Sequence, residues 1–398
     1  MSNILLALSI AMAVGLLMTR FIKLIHLPDV TGYLIAGLLV GPYVLGVMTP
    51  EMNSSLAIIS NVALGFIAYS IGSEFKLSYL REIGIKPIVI TVFEGCTASL
   101  LVFLTLLVAG QDLPLCLALG AIAAATAPAA TLMVVRQYKA NGPVTKMLLP
   151  VVAMDDALGL MLYAIMMAIA RTLVDGSPLS VMTLLVKPLA QIVCSLGLGV
   201  VLGFLLTLVI PFFHSRGKKL ALSIMIVFAA VGLSEVLDLS SLLVCMMVGA
   251  TMINVSRQSD AMLEQADRFT PPLFLLFFVL SGANLNLSVL PTVGVVGVCY
   301  VLARAAGKVL GATIGAVTQR CDGNVVRYLG LTLIPQAGVA IGMARMSMTA
   351  LPEYADVINA VVLSGTLIYE LCGPVITKIA LTKAGEIRGA ARQTAAKA

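Results

Sequence analysis

Apolar runs of about twenty residues, separated by short connections, fill this chain almost from end to end. Each is long enough to cross the hydrocarbon core of a bilayer as a helix, and no water-soluble packing would hide so many. Roughly thirteen can be placed, near residues 3–20, 28–46, 54–73, 87–110, 113–135, 147–170, 181–211, 219–237, 239–254, 270–287, 290–317, 326–346 and 355–378. Only 11% of the residues are charged and 60% are hydrophobic, whereas a soluble domain averages about 25% charged. The expected fold class is therefore an all-α integral membrane protein, a single membrane domain over residues 1–398. The opening MSNILLALSIAMAVGLLM has no basic region ahead of it and reads as a retained first span rather than a cleaved leader.

The basic residues set the direction of the spans. Arg20 and Lys23 follow the first, Lys76, Arg81 and Lys86 the third, and Arg136, Lys139 and Lys146 the fifth. Arg216, Lys218 and Lys219 follow the seventh, Arg257 and Arg268 the ninth, and Arg320 and Arg327 the eleventh; Lys378, Lys383, Arg388, Arg392 and Lys397 close the chain. The loops after even-numbered spans carry Glu51, Asp112, Asp175, Asp238, Glu353 and Asp356 instead. Positive charge gathers on the cytoplasmic side, so the C-terminus is expected inside, the N-terminus outside, and the protein in the inner (cytoplasmic) cell membrane. The net charge of +6 is thus topological, with the lipid bilayer as partner and no nucleic acid. Seven scattered cysteines show no Cys-x-x-Cys spacing and read as small packing residues, and His26 and His214 lie near basic loops.

Two spans carry helix-breaking sequence near mid-depth. The fifth contains Thr126, Ala127 and Pro128, and the twelfth contains Pro335, Gln336, Ala337 and Gly338. Proline removes a donor and frees a carbonyl one turn earlier, and in lipid such groups survive only against protein or a watery cavity. The breaks lie seven spans apart, so the broken helices run in opposite directions. That pattern points to an inverted-repeat transporter with discontinuous helices and a midplane site. Residues 3–170 are read as the first repeat, 181–211 as a linking helix, 219–380 as the inverted second repeat and 381–398 as a short cytoplasmic tail.

The sixth span, VVAMDDALGLMLYAIMMAIA, holds two adjacent carboxylates, Asp155 and Asp156, and no other charge. An ionised Asp at the bilayer centre costs about 2.5–3.5 kcal/mol on insertion scales. Asp156 lies ten residues from Lys146, about 15 Å deep by helical rise. Lys308 lies twelve residues from Arg320, at a similar depth. Two carboxylates and one ammonium leave a net charge of about −1, which one monovalent cation neutralises. Like charge and desolvation both favour protonation of a carboxylate, so cation and proton compete for the same groups. Glu94 and Glu370 are candidate partners for Arg304 or accessory proton sites, and Glu74 ends the third span at the interface. Gly307, Gly311 and Gly315 form a small-residue ladder for close helix packing, as do Gly199 and Gly203.

These residues give the chain a resemblance to the monovalent cation/proton antiporter superfamily, in its electrogenic sodium/proton branch. The likeness is carried by ATAP at 125–128, MDDALGL at 154–160, AAGKVLGA at 305–312 and IPQAGVA at 334–340. It implies that Asp156 is the principal ligand of a monovalent cation, that Asp155 pairs with the charge-balancing or proton-carrying Lys308, and that Thr126 and Ala127 line the site. It further implies a homodimer with a panel-like dimerisation domain and a six-helix core bundle moving as an elevator. Relatives often carry an Arg and an acidic residue after the second break's proline, where this chain has Gln336 and Ala337. The expected activity is sodium (or lithium)/proton antiport, without enzymatic chemistry, catalytic residues or cofactor. Potassium/proton antiport, a sodium-coupled organic anion symporter on a similar fold, and a gated channel are the alternatives.

Overall fold

The computed structural model describes residues 3–25, 27–73, 75–77, 81, 84–175, 186–285 and 294–387. Among them are sixteen α-helices and no β-strand. In chain order these are α1 (Ile4–Leu24), α2 (Asp29–Val40), α3 (Pro50–Ser55), α4 (Ala57–Gly72), α5 (Lys86–Val108), α6 (Leu113–Ala123), α7 (Pro128–Tyr138) and α8 (Pro143–Asp175). They continue with α9 (Lys187–Val209), α10 (Arg216–Val236), α11 (Ser241–Val255), α12 (Ser259–Ala283), α13 (Gly294–Thr318), α14 (Gly323–Thr332), α15 (Gly338–Ala350) and α16 (Ala355–Lys383).

Within the described residues each of the thirteen expected spans overlaps one main helix or, at the two breaks, a pair. Among the described residues eight helical segments are long and apolar enough to cross a membrane, and α2, α4 and α11 are shorter apolar helices. Large apolar side chains stand exposed along them, Leu5, Val108 and Val236 at 76%, 89% and 82%. Lipid is the solvent that makes such exposure costless.

Two local readings need correction, and a third lies beyond the described residues. The tenth span was expected from residue 270, but α12 starts at Ser259, and Arg268 is a helical residue rather than a loop residue. Asp260 in the first turn and an i,i+4 pair between Arg268 and Glu264 at 2.7 Å favour the extra turns. Cys116 and Cys245 are buried packing residues, whereas Cys96, Cys194 and Cys372 are exposed. Glu74, His26 and the basic residues of the tail from Arg388 onward lie outside the described residues.

The chain divides into two compact units. The first comprises Met1–Met18, Tyr33–Gly84 and Leu189–Asn284. Its helices meet backbone to backbone through glycine: Gly72 of α4 faces Met246 of α11, Gly249 of α11 faces Tyr69 of α4, and Gly37 of α2 faces Val279 of α12. Gly199 and Gly203 of α9 pack on α11 in the same way. With no lipid-driven hydrophobic gain between membrane helices, close backbone approach supplies the attraction. Asn61 of α4 donates to Glu235 of α10 at 3.0 Å, a side-chain bond between two helices of this unit.

The second unit comprises Thr19–Gly32, Ile85–Pro188 and Leu285–Ala398. It repeats one order twice: a helix, a helix broken in two, a helix. The first round is α5, α6–α7, α8, and the second is α13, α14–α15, α16. Leu119, Ile122, Tyr163, Met343, Val362 and Tyr369 belong to its apolar core. The ladder Gly307, Gly311, Gly315 lays α13 on α5. A Cβ on Gly307 would come 2.6 Å from the Ala98 Cα, and one on Gly311 2.6 Å from the Glu94 Cα.

Candidate functional site

The site starts from the two interruptions. Pro128 opens α7, and the four residues before it, Ala124 to Ala127, leave the helical path. Pro335 lies in the matching stretch between α14 and α15. The two open segments touch: the Ala127 amide donates to the Pro335 carbonyl at 2.9 Å, and Thr131 Oγ1 donates to the Thr332 carbonyl at 3.1 Å.

Where a helix ends, backbone carbonyls lose their intrahelical partners. Across the end of α6 and the opened segment after it, four successive carbonyls each receive a side-chain donor. The Ile122 carbonyl accepts from Gln336 Nε2 at 3.1 Å, and the Ala123 carbonyl from Arg304 Nε at 3.0 Å. The Ala124 carbonyl accepts from Lys308 Nζ, and the Ala125 carbonyl from Arg304 Nη2 at 2.6 Å. Arg304 Nη1 reaches the Ile334 carbonyl at 2.7 Å, so one guanidinium holds both breaks. The negative end of a helix dipole is where cations gain most, and both cations here come from α13.

Lys308 is fully buried and sits in a cage. Its Nζ lies 3.0 Å from Asp155 Oδ2 and 2.7 Å from Glu94 Oε2, and it also donates to Thr126 Oγ1 at 2.7 Å. Asp156, 6% exposed, is the next residue along α8 and therefore points about 100° away from Asp155. Gly159, one turn further on that face, lies against the Ala125 backbone, so this side of α8 abuts the first break. Asp156 Oδ1, Asp155 Oδ1 and Glu94 Oε1 are buried and have no protein donor among the described residues. Oxygens of that kind need a proton or a cation to complete them.

Asp155, Thr126, Lys308 and Glu94 thus come together at the first break, with Asp156 beside them. Arg304 does not pair with Glu94 or Glu370, as the sequence suggested it could. Its donors go to backbone carbonyls, and its guanidinium stacks 4.5 Å from the centre of the Tyr369 ring. Three fixed carbonyls at the opened helix ends thus engage the donors of its planar fork. Gln336 exchanges hydrogen bonds with Tyr300, whose hydroxyl donates to Gln336 Oε1 at 3.2 Å. Glu370 on α16 is 4% exposed, outside the lysine cage. The Glu94–Lys308 pair was missed in the sequence, where only the glycine ladder around Lys308 hinted at a close neighbour.

A family model described as sodium/hydrogen exchanger, transmembrane, matches residues 7–380. The ammonium/proton antiporter subunit AmhT of Alkalihalophilus pseudofirmus is 25% identical over 377 residues, covering 91% of this chain and 92% of its own length. The sodium/proton antiporter NhaS4 of Synechocystis is 26% identical over 387 residues, covering 86% of this chain and 90% of its own. In fold, the chain is similar to the sodium proton antiporter MjNhaP1 from Methanocaldococcus jannaschii at pH 8, with a TM-score of 0.73 over 97% of this chain and 99% of that one, at 17% identity.

Proposed function

The chain belongs to the sodium/hydrogen exchanger family, and from that premise we propose a secondary antiporter that exchanges sodium or lithium for protons at Asp156. The supporting observation is a buried carboxylate oxygen without a protein donor, next to a lysine already engaged by two other carboxylates. Asp156 is the exchange ligand in this reading, and the break at Thr126 and Ala127 supplies neighbouring oxygens. Asp155 and Glu94 hold Lys308, which balances charge or takes up a proton when the cation leaves. Cation and protons occupy the same carboxyl groups in turn, which is the physical requirement for coupled exchange. If two protons replace one cation, each cycle moves one net charge, and the membrane potential contributes about 2.3 kcal/mol per 100 mV.

The helix–broken helix–helix order, found twice in the second unit, supports inverted repeats over 3–170 and 219–380, with alternating access around the breaks. Residues 181–211 then link the repeats, and 381–398 form the tail. We read the protein as a homodimer in the cytoplasmic membrane, N-terminus outside and C-terminus inside, from the family and the one-sided Lys and Arg distribution.

In proteoliposomes, Asp156→Asn is expected to abolish sodium-driven proton movement. Exchange near the wild-type rate would overturn the assignment. The likeness to AmhT favours ammonium as a second cargo. Supported-membrane currents with sodium, lithium, potassium and ammonium across pH separate these cations.

A further inference from the structure

Helix α8 carries the aspartate pair, yet its own sequence does not supply a side-chain cap. The residue before its first turn is Gly142, and the first helical residue is Pro143, which has no amide hydrogen. That leaves the amides of Val144 and Thr145 to be satisfied, since the Lys146 amide already donates to the Gly142 carbonyl at 3.0 Å. Both are taken by a residue some 240 positions away in sequence. Glu386 Oε1 accepts from the Val144 amide at 2.6 Å, and Oε2 accepts from the Thr145 amide at 2.8 Å and from Thr145 Oγ1 at 2.6 Å.

The arrangement is built from both sides. Glu386 is 4% exposed, and its carbonyl accepts from the Asn141 amide at 3.1 Å. The chain reaches this position through a turn at Gly385, φ +77°, a left-handed backbone that glycine adopts without strain. Asn324, at the start of α14, donates to the Ala384 carbonyl at 3.4 Å and so anchors the same turn. Gly142 has no side chain where one would collide: a Cβ there would fall 2.6 Å from Glu386 Oε1. The negative carboxylate also lies at the positive end of the α8 dipole.

We propose that Glu386 is a positioning residue for the exchange reaction, a tether that fixes the first turn of α8 to the end of α16 and thereby sets the placement of Asp156. The proposal rests on the antiporter reading and deepens it. An N-cap needs only a local acceptor, and Ser, Thr, Asp or Asn at position 142 would provide one at no cost in chain topology. A carboxylate brought from the far end of the second round of helices adds something a local cap does not. It ties α8, from the first round, to α16 and to the start of α14, from the second. Asp155 and Asp156 lie about 18 Å along the same helix, one to two turns beyond its internal Pro150, so a shift of its first turn is passed to them through continuous helical backbone.

The test uses the full chain in proteoliposomes and reads two quantities, thermal stability and the sodium concentration giving half-maximal exchange. Glu386→Ala is expected to lower stability and to raise the half-maximal sodium concentration about fivefold, the size of effect that loss of one helix cap exerts on a conformational equilibrium. In the vacated space the double variant Gly142→Asp with Glu386→Ala re-caps α8 from its own sequence. It is expected to recover the stability while keeping the sodium shift. Glu386→Gln, which retains one acceptor oxygen, gives a smaller shift in the same direction and decides the matter if the alanine variant does not fold. The proposal falls if the double variant restores sodium dependence together with stability, for then Glu386 is a cap and nothing more. It also falls if the sodium dependence of Glu386→Ala or of Glu386→Gln is that of the wild type. Absence of exchange in the wild-type chain would instead sink the antiporter reading.

Discussion

The two compact units solve the same problem of packing helices in lipid with opposite means. In the first, helices meet through glycine, and the buried polar side chains among the described residues are neutral, such as Asn53, Ser195, Thr251 and Gln265. In the second, Glu94, Asp155, Asp156, Arg304, Lys308, Glu370 and Glu386 are all buried. A buried charge in a membrane protein is costly and usually marks an ion pathway. The contrast teaches that the interior of the first unit is packed through glycine and neutral side chains, while the second concentrates both the buried charges and the broken helices that accommodate them.

The largest effect should come from Arg304→Ala. Truncation leaves the carbonyls of Ala123, Ala125 and Ile334 buried without their donor. Each unsatisfied group costs about 1–3 kcal/mol, so little folded protein is expected in a detergent thermal-stability assay. Near wild-type stability would mean that the breaks hold themselves together. Next in size is Lys308→Gln, which should reduce the charge moved per cation exchanged before it removes exchange itself. Currents per ion in reconstituted membranes report this, and an unchanged ratio would argue against Lys308 as the charge balancer.

How much of this was visible in the sequence follows from what each feature depends on. The spans were legible because crossing lipid demands a minimum apolar length, and α12 was misjudged only where it extends into polar residues before residue 270. The breaks were legible because proline at mid-depth leaves few alternatives. The role of Arg304 was not, because its partners are backbone carbonyls that any sequence would have. Nor was the partner of Glu94, since the glycine ladder announces a close approach without saying which helix approaches. Glu386 looked like an ordinary tail residue, because its partners, Val144 and Thr145, are amides on a helix read from the other half of the chain.

A matched pair of glycine substitutions sharpens the contrast between the units. Gly72→Ala in the first pushes a methyl group onto the Met246 carbonyl, and Gly311→Ala in the second pushes one to 2.5 Å from the Phe93 carbonyl. Overpacking of this sort costs about 1–3 kcal/mol, so both variants should lose stability to a similar degree. Only Gly311→Ala moves α5 relative to α13, and with it Glu94 relative to Lys308. The surviving Gly311→Ala protein should therefore need more sodium for half-maximal exchange, whereas the surviving Gly72→Ala protein should not. Equal sodium shifts in both would show that glycine packing in the first unit also sets the cation site.

The smallest effect is expected from Asn61→Ala, and it tests the other half of the comparison. Asn61 and Glu235 form a polar contact between α4 and α10 of the first unit, and it is exposed rather than buried. Side-chain hydrogen bonds between membrane helices average about 0.6 kcal/mol, so the change in thermal stability should be barely measurable. Exchange should keep its wild-type dependence on sodium and on pH. Among the described residues of this unit no charged side chain is buried, so losing the amide partner of Glu235 removes one bond and exposes no uncompensated group in the interior. A clear change in sodium dependence would place a cation-sensitive carboxylate in the first unit, and the separation of packing from chemistry would fail there.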